Sequence, residues 1–532
     1  MELGQLGAIT PVAEDAPLIG IIDSGVNDHP LIADIIAGAI AVPEELGTAD
    51  DFGHGTRVAG IAVFGDLRAQ LVAGSLERGA RVCSAKVVDR QGAFPDRRLT
   101  PGQMREAITR LNREFGCRIF VIALGDRRRI YDGGKVGPWA ATLDELVAEL
   151  DVVIIVSAGN RDSIRGGNRI EQAITDYPGY LMEAANRLVE PAGALNVVTV
   201  GSLAHGNGIA PNIAADVGVR PITDAEEPSP FTRIGPGIRG AIKPDIVDIG
   251  GTLIYDRSVQ RLRDGRDIPE AGVLSLHYQP VNRLFTSCSG TSFAAPKVAF
   301  KAAQILARFP AASANLIRAL LASGAVMPEA ASARLALLGD EGLRAICGNG
   351  MVELERAVFS DDARVALYAD DELEVDHFAI YQIPIPEVFQ SERGRRTIKV
   401  TLAYDPPVRH TRRDYAGTTI AFRLIRGCEP DFIFDHFRRR SPDEDRFPEM
   451  ENRFSCALKP SPTVREKSSL QAATVSFSRD VTHYADTYHL VVRCAGGWAG
   501  AIRQSFAIVV EIAHEAEVQL YERVRQRIRL RV

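Results

Sequence analysis

The 532-residue chain predicts an α/β fold, a doubly wound and mostly parallel sheet, followed by a C-terminal antiparallel β-sandwich. Two changes of texture carry that expectation. Up to about residue 360, short apolar runs alternate with helical patterns. After about residue 366, apolar residues recur at every second position and strong helix signals fall away. The boundary is set at 1–365 and 366–532. A chain of this length exceeds one ordinary core, which agrees with at least two domains.

In the first region, Leu18–Asp23, Val82–Val88, Ile119–Leu124, Val152–Ser157 and Ala194–Val200 are short, rich in β-branched residues and mostly bounded by Gly, Asp or Asn. Runs apolar on both faces suit parallel strands covered by helices. Pro101–Phe115, Trp139–Leu150, Phe293–Phe309 and Ala314–Ala322 are the helix candidates between and after them. Strand and helix in alternation read as doubly wound α/β. In the second region, Ile398, Val400, Leu402 and Tyr404 alternate with polar or small neighbours. Tyr488–Cys494, Phe506–Ile512 and a last stretch with Ile528, Leu530 and Val532 are further strand candidates, which suggests a sandwich. Arg438 to Arg453 is charged and broken by proline, as expected of an exposed loop.

Composition bounds function by exclusion. Apolar residues make up 46% and charged residues 24%, as in a soluble globular protein. A net charge of −6, from 62 basic and 68 acidic residues, gives no basic face for nucleic acid. No run approaches the roughly 18 apolar residues of a membrane helix. The first residues show neither a basic nor an apolar signal region. Seven cysteines lie far apart without a CxxC pair, which reads as free thiols in a reducing compartment, the cytoplasm.

Three segments place a reactive side chain where a strand ends or a helix begins. Ile21-Ile22-Asp23-Ser24-Gly25 puts a carboxylate at the carboxyl edge of the sheet, where open α/β sheets bind ligands. Gly53-His54-Gly55-Thr56 flanks a histidine with glycines that let the backbone approach other groups. Gly290-Thr291-Ser292-Phe293-Ala294-Ala295-Pro296 sets a serine at a helix N-terminus, whose free N–H groups favour an anion. Each has a bland alternative alone: a turn, a structural histidine, a helix cap.

Together, and in the order Asp, His, Ser, these segments resemble the signature blocks of the subtilase family of serine peptidases. The matching stretches are Asp23-Ser-Gly, His54-Gly-Thr-Arg-Val-Ala-Gly and Gly290-Thr-Ser-Phe-Ala-Ala-Pro. Val156-Ser157-Ala158-Gly159-Asn160 resembles a fourth block, and the likeness runs over about residues 16–360. The resemblance implies a subtilisin-like sheet and peptide hydrolysis through an acyl-enzyme. His54 would be the general base for Ser292, Asp23 its orienting partner and Asn160 an oxyanion donor. It also implies substrate contacts from Ala123, Leu124, Gly125, Ser157, Ala158, Gly159 and Thr291. Ala123 stands where the family's substrate strand usually has Ser.

Several expectations are finer. Arg161, at a pocket rim, would favour an acidic side chain before the scissile bond, unless Asp126 cancels it. Cys288, four residues before the serine, is either open to thiol reagents or a small core residue. Asp23 comes early for an inhibitory prodomain, so the chain is truncated upstream or restrained otherwise. The layout resembles intracellular subtilases of bacterial anti-phage defence, whose partner is an AAA+ ATPase. No cofactor is implied. No Asp-rich loop of EF-hand type appears, so no metal is assigned, although structural calcium supports many subtilases. A silent pseudoprotease scaffold, and a peptide ligase or macrocyclase using the same triad, are the competing functions.

Overall fold

The computed structural model describes residues 6–529 apart from 97, 166–168, 211–217, 439–446, 448–449, 479–484, 486, 501 and 517–518. The chain forms two compact units, residues 1–314 with 325–354, and residues 315–324 with 355–532.

The first unit is built on a nine-stranded sheet. Its strands in chain order are β1 (Leu18–Asp23), β2 (Ile36–Ala41), β3 (Arg81–Lys86), β4 (Ile119–Ile122), β5 (Val153–Ser157), β6 (Val198–Leu203), β7 (Ile246–Ile249), β8 (Ala325–Val326) and β9 (Met351–Val352). In space they run β8-β9-β7-β6-β5-β4-β1-β3-β2. Every pair is parallel except β8 with β9. Central residues such as Ile19, Ile21, Phe120, Val121, Ile154 and Ile155 are fully buried, as strands covered on both faces require. Helices α1 (His54–Phe64), α2 (Thr100–Phe115), α3 (Pro138–Leu150) and α4 (Thr291–Arg308) pack in pairs, α1 with α4 and α2 with α3. Chain order reverses about β1, whose neighbours are β3 and β4, and the crevice at the carboxyl ends there is where such sheets hold ligands.

One strand expectation slips. The stretch from Ala194 becomes strand only at Val198, because Asp144 intervenes. Its carboxylate accepts the Leu195 and Asn196 N–H groups at 2.9 and 2.6 Å, holding them in a turn before the ladder begins.

In the second unit, two antiparallel sheets run in the orders 364–374, 503–514, 396–404, 470–477 and 378–383, 488–496, 418–426. Ile398, Val400, Leu402 and Tyr404 are buried against residues such as Phe422, Leu490 and Val492, so the period-two reading corresponds to an inward face. Two expectations fail here. The last described stretch, Leu520–Arg529, is a helix, so Ile528 does not lie in a strand. Leu520 and Val524, one turn apart, are buried against Val365 and Val388, and this i, i+4 pair outweighs the alternation at Ile528; Leu530 and Val532 lie outside the described residues. Much of 438–453 also lies outside them. Within it, however, Phe447 and Met450 are buried with Ile433 and Phe437 of the helix Pro430–Arg438, so the segment is pinned by apolar anchors rather than wholly exposed.

Candidate active site

Three adjacent strands end at the site. Asp23 closes β1, Ala123 follows β4 and Ser157 closes β5. Asp23 is 1% exposed, and both its carboxylate oxygens lie 2.8 Å from His54 Nδ1. A carboxylate only accepts, so Nδ1 carries the proton and Nε2 is left basic.

Helix α1 begins at His54, after Gly53 in a left-handed conformation (φ 79°) that disfavours a side chain. The helix start presses on the end of β1: a Cβ on Gly55 would come within 2.0 Å of the Gly25 carbonyl. Asp50, which sequence reasoning missed, holds this junction. Its buried carboxylate accepts from the Ser24 and Thr56 hydroxyls, both at 2.7 Å. It also accepts from the N–H groups of Phe52, Gly53 and Thr56 at 3.2, 2.6 and 2.8 Å. The only signal was one acidic residue four positions before the histidine, too common a feature to single out.

Ser292 is the second residue of α4 and nearly buried. The ring of Phe293 lies 5.7 Å from the His54 imidazole, which brings the start of α4 beside the histidine. The Ser292 hydroxyl donates to the Ala123 carbonyl at 3.1 Å, not to His54. Asn160 Oδ1 accepts from the Thr291 N–H and hydroxyl, so Nδ2 takes no part in that contact. Among the described residues no hydrogen bond is formed by Asn160 Nδ2 or by the Ser292 N–H. Two unclaimed donors beside a serine are what an oxyanion needs.

The remaining expected positions divide. Gly159 donates its N–H to the Thr291 hydroxyl at 3.1 Å, which ties the end of β5 to the start of α4. Leu124 is half-buried and Gly125 exposed. Ser157 and Ala158 are buried, and the Ala158 N–H is taken by the Val200 carbonyl.

Arg161 is not at a rim. It is 1% exposed, pairs with Glu183 at 2.7 Å and stacks on Tyr180, partners that hold the side chain inward, while its N–H bonds the Phe231 carbonyl. Asp126 is engaged by the Arg128 N–H at 3.0 Å. Cys288 packs with Ile61, Val273 and Phe293, and burial pushes its thiol up, so it is a core residue rather than a thiolate. Among the described residues no group of three or more His, Cys, Asp or Glu is placed to hold an ion.

Residues 14–350 match the model of the subtilase family. The uncharacterized protein y4bN of Sinorhizobium fredii is 65% identical over 430 residues, 81% of this chain and 100% of that protein. Serine protease AprX of Bacillus subtilis is 25% identical over 58% of this chain, and mycosin-4 of Mycobacterium tuberculosis 28% over 64%. Those matches span 60% and 65% of the two relatives, less than two thirds of each. The crystal structure of a cold adapted subtilisin-like serine proteinase matches with a TM-score of 0.38 and 18% identity, over 62% of this chain and 85% of that one.

Proposed function

Since the chain belongs to the subtilase family, peptidase S8, we propose that it is a serine endopeptidase working through Asp23, His54 and Ser292. Family membership sets the general chemistry, serine peptidase action on protein or peptide substrates. The observation that carries the residue roles is the 2.8 Å contact of His54 Nδ1 with both oxygens of a buried Asp23. That contact orients the ring and stabilises the imidazolium formed when Nε2 takes the serine proton.

At rest the Ser292 hydroxyl donates to Ala123. A peptide N–H that takes over this carbonyl frees the hydroxyl to rotate towards His54 Nε2, so substrate binding itself aims the nucleophile. Serine Oγ then attacks the scissile carbonyl. Asn160 Nδ2 and the Ser292 N–H receive the oxyanion, His54 returns the proton to the leaving amine, and water releases the acyl group.

A reducing compartment is part of the proposal, supported by seven cysteines that are all buried and unpaired. Regulation by an AAA+ ATPase rests on the chain's layout alone, and co-purification of such a partner from the native cell tests it. The peptidase reading is tested with a fluorophosphonate probe and a casein digest. Labelling confined to Ser292 together with casein cleavage is expected, both lost in Ser292→Ala. Labelling retained by that variant points to another nucleophile.

A further inference from the structure

The two segments that would wall the pocket for the side chain before the scissile bond follow neighbouring parallel strands, β4 and β5, with Ile122 opposite Val156. Such strands lie about 4.8 Å apart. Residues 123–125 and 157–159 therefore start one strand spacing apart, and what lies between them sets the pocket's depth.

One methyl group touches both. A Cβ built on Gly125 would meet Val189 Cγ2 at 3.1 Å, and one built on Gly159 would meet the same atom at 2.7 Å. Val189 is 2% exposed, so it is packed in place rather than free in a cavity. Its backbone is pinned as well. Val189 and Glu190 form a two-residue strand against the strand Asp126–Ile130, which continues from the first wall. The Glu190 carboxylate accepts the Trp139 and Ala140 N–H groups at the start of α3, at 2.8 and 3.3 Å, and meets Arg129 at 3.3 Å. A β-branched side chain on a pinned backbone has little rotamer freedom.

Beside Val189 lies Arg233. Its Cδ would be 3.1 Å from that same Gly159 Cβ, and its guanidinium donates only to main-chain carbonyls, those of Asn160, Ala185 and Arg187. Among the described residues no carboxylate pairs with it. Burial lowers its pKa from the ordinary arginine value, the Asp162 carboxylate opposing this and the Arg161 and Arg127 cations adding to it.

We infer that Val189 is the floor of the pocket for the residue before the scissile bond, restricting it to Gly, Ala or Ser. A cation, Arg233, is screened from substrate by that floor. The inference rests on the peptidase reading and deepens it: the substrate is a peptide cut after a small residue. A longer side chain meets a fixed methyl group, and removing that group both deepens the pocket and brings the guanidinium within reach.

The test is a cleavage profile on a peptide library varied before the scissile bond, read alongside fluorophosphonate labelling of Ser292. The wild-type chain is expected to favour Ala, Gly and Ser over Leu, Phe and Glu by at least about tenfold in kcat/KM, since single methylenes shift discrimination that much. Val189→Ala is expected to admit Val and Leu. Val189→Gly is expected to raise kcat/KM for Leu and Glu at least about tenfold, with the Glu gain lost in the double variant V189G/R233Q. A labelled wild-type enzyme that cuts after Leu, Phe or Lys as well as after Ala overturns the floor and leaves the peptidase reading intact, as does an unchanged profile in a labelled Val189→Gly. A chain that neither labels nor cleaves overturns both.

Discussion

Thr291 holds Asn160 with two donors on one oxygen: its N–H at 2.9 Å and its hydroxyl at 3.1 Å both reach Asn160 Oδ1. An amide so held keeps its NH2 group fixed, without reorganisation at the moment of reaction. Asn160→Ala is expected to lower kcat on the order of 10²–10³-fold with little change in KM. Thr291→Val keeps the backbone donor and removes the hydroxyl, so a smaller loss is expected. Steady-state kinetics on a fluorogenic peptide check both.

Asp23→Asn replaces an acceptor that faces His54 Nδ1 with a group that can present N–H instead. The imidazole then loses the partner that fixes its tautomer. A drop in kcat of about 10⁴-fold is expected, and Ser292→Ala should fall further, on the order of 10⁶-fold. Single-turnover measurement of acyl-enzyme formation distinguishes lost chemistry from slow release.

Asp50 is satisfied by five donors and touches neither candidate nucleophile nor base. Asp50→Ala strands buried N–H and hydroxyl groups of Ser24, Gly53 and Thr56, and a loss of about 2–4 kcal/mol of stability is expected. Because the same carboxylate aligns α1 with β1, kcat should fall as well. Denaturant unfolding and kinetics on the same preparation test the pair of effects. Unchanged stability would contradict the role assigned to Asp50.

His29 makes stability depend on pH. It is fully buried, and its pKa is pushed below the usual 6.5, chiefly by desolvation, against an opposing hydrogen bond to the Leu284 carbonyl. Nε2 donates to Leu284 at 3.0 Å and Nδ1 accepts from the Leu31 N–H at 3.2 Å, so a second proton has no place. Below pH 6.5 the unfolded chain binds that proton more readily than the folded one, and stability therefore falls with pH until the lowered folded value is passed. The melting temperature should hold level between pH 7 and 8 and decline towards pH 5. His29→Gln should flatten part of that decline, leaving the share of His205 and His277, whose values are also lowered by burial.

The chain's local pattern was enough for the fold class and for the four residues of the proposed chemistry. Apolar runs such as Ile19 to Ile22, and helices such as Thr100–Phe115, follow from periodicity that any segment carries within itself. The glycines around His54 and the small residues around Ser292 are likewise local consequences of close backbone approach. Arg161 shows where such reading ends. Its position after Asn160 suggested a rim, yet whether a side chain turns in or out depends on partners such as Glu183 and Tyr180, some 20 residues away. The helix Leu520–Arg529 shows the same thing, since Leu520 and Val524 are buried against the remote Val365 and Val388, which local alternation up to Ile528 did not reveal.

What the sequence determined alone is the kind of chemistry, because a nucleophile, a base, an acid and an amide are identities. Only the tertiary structure decided which donors are left unclaimed, that Asp50 ties the histidine helix to its strand, and that Val189 stands against Gly159 and Gly125, 30 and 64 positions before it. Those are distances between remote segments, set by how the strands and helices pack, and side-chain identity does not encode them.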